Sequence, residues 1–114
     1  NKNFTVYGNG LQTRSFTYID DTIEGIYKLI KYKNYPYPVN IGNPVEHSIL
    51  DLIKEIKSIT SSSSKIEFFD LPENDPKIRK PDITRAKDVL NWEPKVMLKD
   101  GLKLTLNYFR KNYK

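Results

Sequence analysis

The chain contains no cysteine. Neither a disulfide framework nor thiolate chemistry is open to it, and the redox compartment leaves no mark on the sequence. A lone histidine, His47, excludes a His-rich metal site and reads as a solvated loop side chain. Long hydrophobic runs are also missing: the apolar stretches span only a few residues, too short to cross a bilayer as a helix. Asn1-Lys2-Asn3 leads straight into a strand-like stretch with no signal-peptide pattern, which reads as a start in mid-protein. Glycine is scarce. Two of the five glycines sit in a single tripeptide, Gly8-Asn9-Gly10.

What is present suits one domain: 114 residues, 38% of them hydrophobic, can supply a modest core. The net charge of +5 is unevenly spread, with +2 over residues 1–38, −3 over 39–74 and +6 over 75–114. A basic carboxy-terminal third suits nucleic acid, a membrane surface or a phosphorylated small molecule. Its lysines are spread along helical stretches, which is also the pattern of a solvated face.

Strands and helices alternate, so the fold class is α/β, with a few short strands and three to four helices. Phe4–Tyr7, Ser15–Ile19, Val39–Ile41 and Lys65–Phe69 carry the β-branched and aromatic residues of strands. Asp20 or Asp21 is placed to cap a helix that buries Ile23, Ile26, Tyr27 and Ile30 and ends before Tyr35-Pro36-Tyr37-Pro38. Ser48 opens a second helix with Ile49, Leu52, Ile53, Ile56 and Ile59 on one side. Ser61 to Ser64 form a low-complexity loop. A short helix covers Thr84–Leu90, and a last one runs from about Asp100 to Tyr113, burying Leu102, Leu106 and Phe109.

The stretch "VYGNGLQTRSFTYIDD", residues 6–21, is the densest in chemistry. A dinucleotide loop needs G-x-G-x-x-G between a strand and a helix, so that backbone amides meet a pyrophosphate. Here Thr13 stands at the third glycine position, and a strand follows. Asn9-Gly10 instead signals a hairpin or tight turn. In extended geometry Gln12, Arg14, Phe16 and Tyr18 share a face. A forked guanidinium there suits a diphosphate or a carboxylate, and an ordinary edge-strand arginine fits the same pattern.

The stretch resembles the V-Y-G-x-G-x-Q-x-R-x-F-x-Y-V-x-D segment of extended short-chain dehydrogenase/reductases that act on sugar nucleotides. "PVNIGNP", "DPKIRKPDITRAKDVLNWEPKV" and "DGLKLTLNYFRK" are similar, in the same order, to carboxy-terminal segments of their UDP-glucuronate decarboxylase (UDP-xylose synthase) subfamily. The D-P-x-x-R-K-P-D-I run discriminates best, because related epimerases and dehydratases usually carry an R-x-G-D-type loop there. Asn91 replaces a usual glycine, and asparagine is the next best residue for a left-handed helix end.

The resemblance implies that residues 1–114 are the substrate-binding carboxy-terminal lobe of a longer enzyme. An upstream Rossmann domain would bind NAD and carry the catalytic Tyr-x-x-x-Lys pair, and the full-length protein would be a homodimer, in cytosol or Golgi lumen. The implied activity is decarboxylation of UDP-glucuronate to UDP-xylose by C4 oxidation, CO2 loss and re-reduction. A dTDP-glucose 4,6-dehydratase or a UDP-sugar 4-epimerase is the alternative. The implied contacts to the nucleotide diphosphate are Gln12 and Arg14. Arg79 is the charged contact of a second, proline-stiffened segment, and Asp75 is a ribose or loop-bracing partner. Tyr7 beside the turn would line the pocket. Tyr27 and Lys31 share the Tyr-x-x-x-Lys spacing, but Tyr27 falls on the apolar helix face and reads as a core residue. No catalytic, cofactor or metal residue is assigned within the chain. A small basic RNA-binding module is the alternative of another class. RNA readers expose aromatics on a sheet, whereas the aromatics here fall largely at core-like spacings, so no nucleic-acid partner is expected.

Overall fold

Strand pairing here joins residues far apart in the chain rather than neighbours across a turn. The computed structural model describes residues 2–113. In it β1 (Phe4–Tyr7) runs parallel to β4 (Ile66–Phe69), with Phe4 opposite Ile66 and Tyr7 opposite Phe69. β2 (Thr13–Ser15) pairs instead with β3 (Glu46–Ser48). Of the hairpin or tight turn expected at Asn9-Gly10, the tight turn is what forms. β1 ends where its amides find a distant carbonyl: the Gly8 N–H donates to the Phe69 carbonyl at 2.7 Å.

The helices are α1 (Ile19–Lys31), α2 (Ile49–Thr60), α3 (Thr84–Leu90) and α4 (Leu98–Asn112). Among the described residues none is long and apolar enough to cross a membrane. The chain forms two compact units, one of residues 1–14 and 46–79, the other of 15–45 and 80–114.

In the first unit, α2 starts as its sequence predicts, with the Ser48 hydroxyl accepting the Asp51 N–H at 3.0 Å. It ends on Ser61 in the left-handed conformation, φ 52°. Ser61 thus terminates α2, and Ser64 is buried with its hydroxyl bonded to that of Ser62. Ile53 and Val6 are the buried apolar side chains of this unit. His47 lies in β3 and is half-buried, not in a solvated loop as expected.

The second unit is built on Trp92, almost fully buried with Ile83, Ala86 and Leu90, against which Leu29, Val39, Ile41 and Val89 pack. Val39–Ile41, expected as a strand, joins no sheet; its Val39 and Ile41 side chains pack on the core instead. α3 ends on Asn91 at φ 48°, the left-handed end its sequence predicts, and the Trp92 N–H returns to the Ala86 carbonyl at 3.1 Å.

α1 departs most from expectation. Tyr18, not an aspartate, occupies the N-cap and makes no side-chain cap bond. Asp21 is buried instead. One carboxylate oxygen accepts the N–H groups of Lys95 at 3.0 Å and Val96 at 2.9 Å, and its carbonyl accepts the Trp92 indole N–H at 2.9 Å. Gly25 lies on the same inward face, where an added Cβ would stand 2.8 Å from Ile41 Cγ2.

The isoleucine stripe turns outward. Ile23, Ile26, Tyr27 and Ile30 are 47–75% exposed, so the expected buried face is a surface. The spacing rule identifies an apolar face but not what covers it. On α4, Leu102 and Leu106 are half-buried as expected, but Phe109 is exposed beside Tyr108 and Tyr113. These exposed rings remove the core-spacing argument against an RNA reader.

The Asp21 contacts generate a direct test. Asp21→Ala strands two backbone N–H groups at once, and bonds to a charged acceptor contribute about 1.5–3 kcal/mol each, net of the exchange with water. A loss of about 3 kcal/mol in chemical denaturation is expected, with Asp21→Asn intermediate because its amide oxygen still accepts.

Candidate functional site

The turn after β1 needs its glycines. Gly8 and Gly10 have φ of 72° and 75°, left-handed values that side chains disfavour. A Cβ on Gly10 would also stand 2.7 Å from Leu50 Cγ. Asn9 closes the turn by accepting the Leu11 N–H on its side-chain oxygen at 3.0 Å. The chain then passes into β2, not into a helix, so its amides build no pyrophosphate cradle. The four helices begin after Tyr18, Ser48, Ile83 and Met97, and no glycine stands within the four residues that lead into any of them. The described residues do not fit NAD.

Beside the turn lies a cavity of about 340 Å3 lined by Gly8, Asn9, Leu11, Gln12, Leu71 and Lys77. Gln12 lines this cavity. Its amide N–H bonds back to the Tyr7 carbonyl at 2.8 Å, which aims the amide and braces the turn. Tyr7 is half exposed and leans on Phe69, ring centroids 6.2 Å apart; it is not among the cavity's lining residues.

Arg14 and Asp75 come together although 61 residues separate them. Arg14 Nη2 donates to Asp75 Oδ1 at 2.9 Å, and Nη1 donates to the Thr13 carbonyl at 2.7 Å. Their side chains are 20% and 30% exposed, so the pair is shielded but not sealed. The Thr13 N–H donates to the Lys77 carbonyl at 2.9 Å, tying β2 to the same segment a second time. Of the roles expected for Asp75, bracing is what this contact performs. Arg79 lies at the end of this segment, exposed. Lys77 is the lining residue that sequence reasoning underweighted; its signal was the alternation with Arg79, two positions on.

Tyr27 is 58% exposed, not a core residue, and Lys31 Nζ stands 5.4 Å from its ring centroid. The "KPDI" end of the second segment turns to structure. Asp82 accepts the Thr84 hydroxyl at 2.6 Å and the Thr84 N–H at 2.9 Å, capping α3. The bond from the Thr84 hydroxyl, then that from its N–H, and the nearby Arg85 charge hold this carboxyl below its ordinary value.

Residues 1–105 match the model of the family described as GDP-mannose 4,6 dehydratase. The chain belongs to that family, within the extended short-chain dehydrogenase/reductases. It is similar to UDP-glucuronic acid decarboxylase 1 of Xenopus tropicalis, at 48% identity over 94% of this chain and 25% of that protein. Among solved structures it is similar to UDP-glucuronic acid 4-epimerase from Bacillus cereus in complex with UDP-glucuronic acid and NAD. That match has 36% identity and a TM-score of 0.87 over 96% of this chain and 35% of the other. The Thermotoga maritima UDP-glucose 4-epimerase with UDP-glucose matches at 32% identity and a TM-score of 0.91, over 98% and 36%. The chain thus spans about a quarter of the first relative and about a third of the solved chains.

The Asp82 cap titrates in a stated direction. A carboxylate whose folded pKa is lowered stabilises the fold above its unfolded value and stops doing so as pH falls through the folded one. Thr84 amide protection is therefore expected to be retained at neutral pH and lost only as pH falls below 3.8, the ordinary value. Asp82→Asn should keep the cap and abolish that pH dependence, read by hydrogen exchange.

Proposed function

We propose that this chain is the nucleotide-sugar-binding portion of a larger NAD-dependent enzyme that decarboxylates UDP-glucuronate to UDP-xylose. The observation that carries the reading is the joined pair of segments, Gly8–Arg14 and Pro72–Arg79, set around a cavity on one unit. The first carries Gly8, Gly10, Gln12 and Arg14 of one motif, and the second carries Asp75, Pro76 and Arg79 of the other. The 48% identity to a decarboxylase, against 36% and 32% to epimerases, favours that activity over 4-epimerisation. Gln12, Arg14, Lys77 and Arg79 supply an amide and three cations for a diphosphate, and a forked guanidinium pairs two phosphate oxygens at once.

Hydride chemistry belongs to NAD held by a Rossmann domain outside these residues, which also carries the catalytic Tyr-x-x-x-Lys pair. Tyr27 and Lys31 are not that pair. The outward stripe Ile19, Ile23, Ile26, Tyr27 and Ile30 is the face that this domain covers. The full-length enzyme is a homodimer in this reading.

Binding of UDP by the full-length protein tests the assignment. Arg14→Ala should weaken UDP and UDP-glucuronate alike, by roughly tenfold to a hundredfold, the range of one charge-assisted bond. Arg14→Lys should recover part, keeping the charge without the fork. Because Arg14 also pairs with Asp75, a stability loss of about 0.5–1 kcal/mol should accompany Arg14→Ala. Unchanged UDP affinity in that variant would make Arg14 a purely structural residue.

The 114-residue chain alone should bind no NAD by calorimetry and should self-associate through the α1 stripe. Ile23→Lys with Ile30→Glu should restore a monomer in sedimentation. A monodisperse parent chain would count against the docking face.

A further inference from the structure

A guanidinium has five N–H donors, and here two are committed, one to Asp75 and one to the Thr13 carbonyl. Bonds at both Nη1 and Nη2 fix the plane of the group, so its remaining donors point in set directions. Asp75 is itself held by local geometry. Its N–H donates to the Pro72 carbonyl at 3.3 Å, and Asn74 takes φ 65°, a left-handed value that asparagine tolerates. Pro76 then restricts the chain before Lys77, whose carbonyl receives the Thr13 N–H. The segment is thus fastened to β2 by one ionic and one backbone contact, with a single residue between the two anchors.

An acid beside an anion-binding arginine calls for a reason, since its charge opposes the ligand. We infer that Asp75 is a positioning residue: it orients the Arg14 guanidinium toward the nucleotide diphosphate and holds Lys77 at the cavity, without touching the ligand. The inference rests on the proposed nucleotide-sugar binding. Its advantage is order set before binding, so that less conformational freedom is lost on association. Its cost is one negative charge near the site. The two effects separate by salt. Charge opposition weakens as the Debye length shortens, from about 14 Å at 0.05 M to about 4 Å at 0.5 M, whereas lost positioning does not depend on salt.

The test uses the full-length protein with UDP as the probe, by calorimetry at 0.05 M and 0.5 M salt, together with steady-state kinetics. Asp75→Ala should raise the UDP Kd about five- to tenfold at high salt, and less at low salt, where the removed charge helps the anion. KM should rise by a similar factor, with kcat within about twofold. Asp75→Asn keeps an oxygen acceptor for Nη2 and should bind UDP at least as well as the parent, so a fold defect cannot stand in for the effect. Limited proteolysis should cleave within residues 72–79 faster in Asp75→Ala than in Asp75→Asn. A parent protein without affinity for UDP overturns the proposed function and this inference with it. A parent that binds UDP, with an Asp75→Ala variant binding equally well at high salt, overturns the inference alone.

Discussion

The helical unit depends on one carboxylate. Asp21 ends a run that reads, from sequence, as a helix cap beside a substrate segment, yet it faces inward and is bonded on three sides. Its carboxylate gathers the Lys95 and Val96 amides, which are in no helix or strand and would otherwise lack partners. Its carbonyl holds the indole of Trp92, the largest fully buried side chain. A buried charge is tolerated only when hydrogen-bonded, and here backbone amides satisfy it. Gly25, one turn along, then lets α1 approach Ile41 and Trp92 closely enough for that geometry. The cost of a mid-helix glycine, about 1 kcal/mol, is accepted for the contact. A motif aspartate six residues after β2 is therefore part of the core.

The sheet unit follows a different constraint: two glycines that must take left-handed φ within three residues. Their turn redirects the chain after β1, so that β1 pairs with a strand some sixty residues later and β2 pairs with β3. The same turn leaves Asn9 and Gln12 bonded to local backbone and opens a cavity at their feet. Geometry that only glycine supplies becomes the placement of a polar side chain.

Much was legible where the determinant is local. The limits of α3, the serine cap of α2 and the left-handed Asn91 each depend on residues within one turn, and each agrees with the structure. Strand partners are not local, and Asn9-Gly10 gives the same signal whether the next strand pairs across the turn or elsewhere. Helix period is local, but its reading as burial is not: Ile23, Ile26 and Ile30 make a perfect stripe and face outward. Phe109 fails for the same reason. The identity of the family came from motif order, which no periodicity contains.

Four of the candidate ligand residues were legible as types and only partly as partners. Arg14 and Asp75 were each read as contacts to a nucleotide, from separate motifs. Their 2.9 Å ion pair joins the two motifs, each residue being held as well by a contact within its own segment. Their partial exposure matters here. A fully buried pair would be costly to desolvate, and a fully exposed one would be worth little. Between those limits, the pair sets the direction of the Arg14 guanidinium, which is bonded to the Thr13 carbonyl as well. Sequence records which residues stand in each motif; the ion pair shows that a strand and a proline-bounded loop meet through two of them.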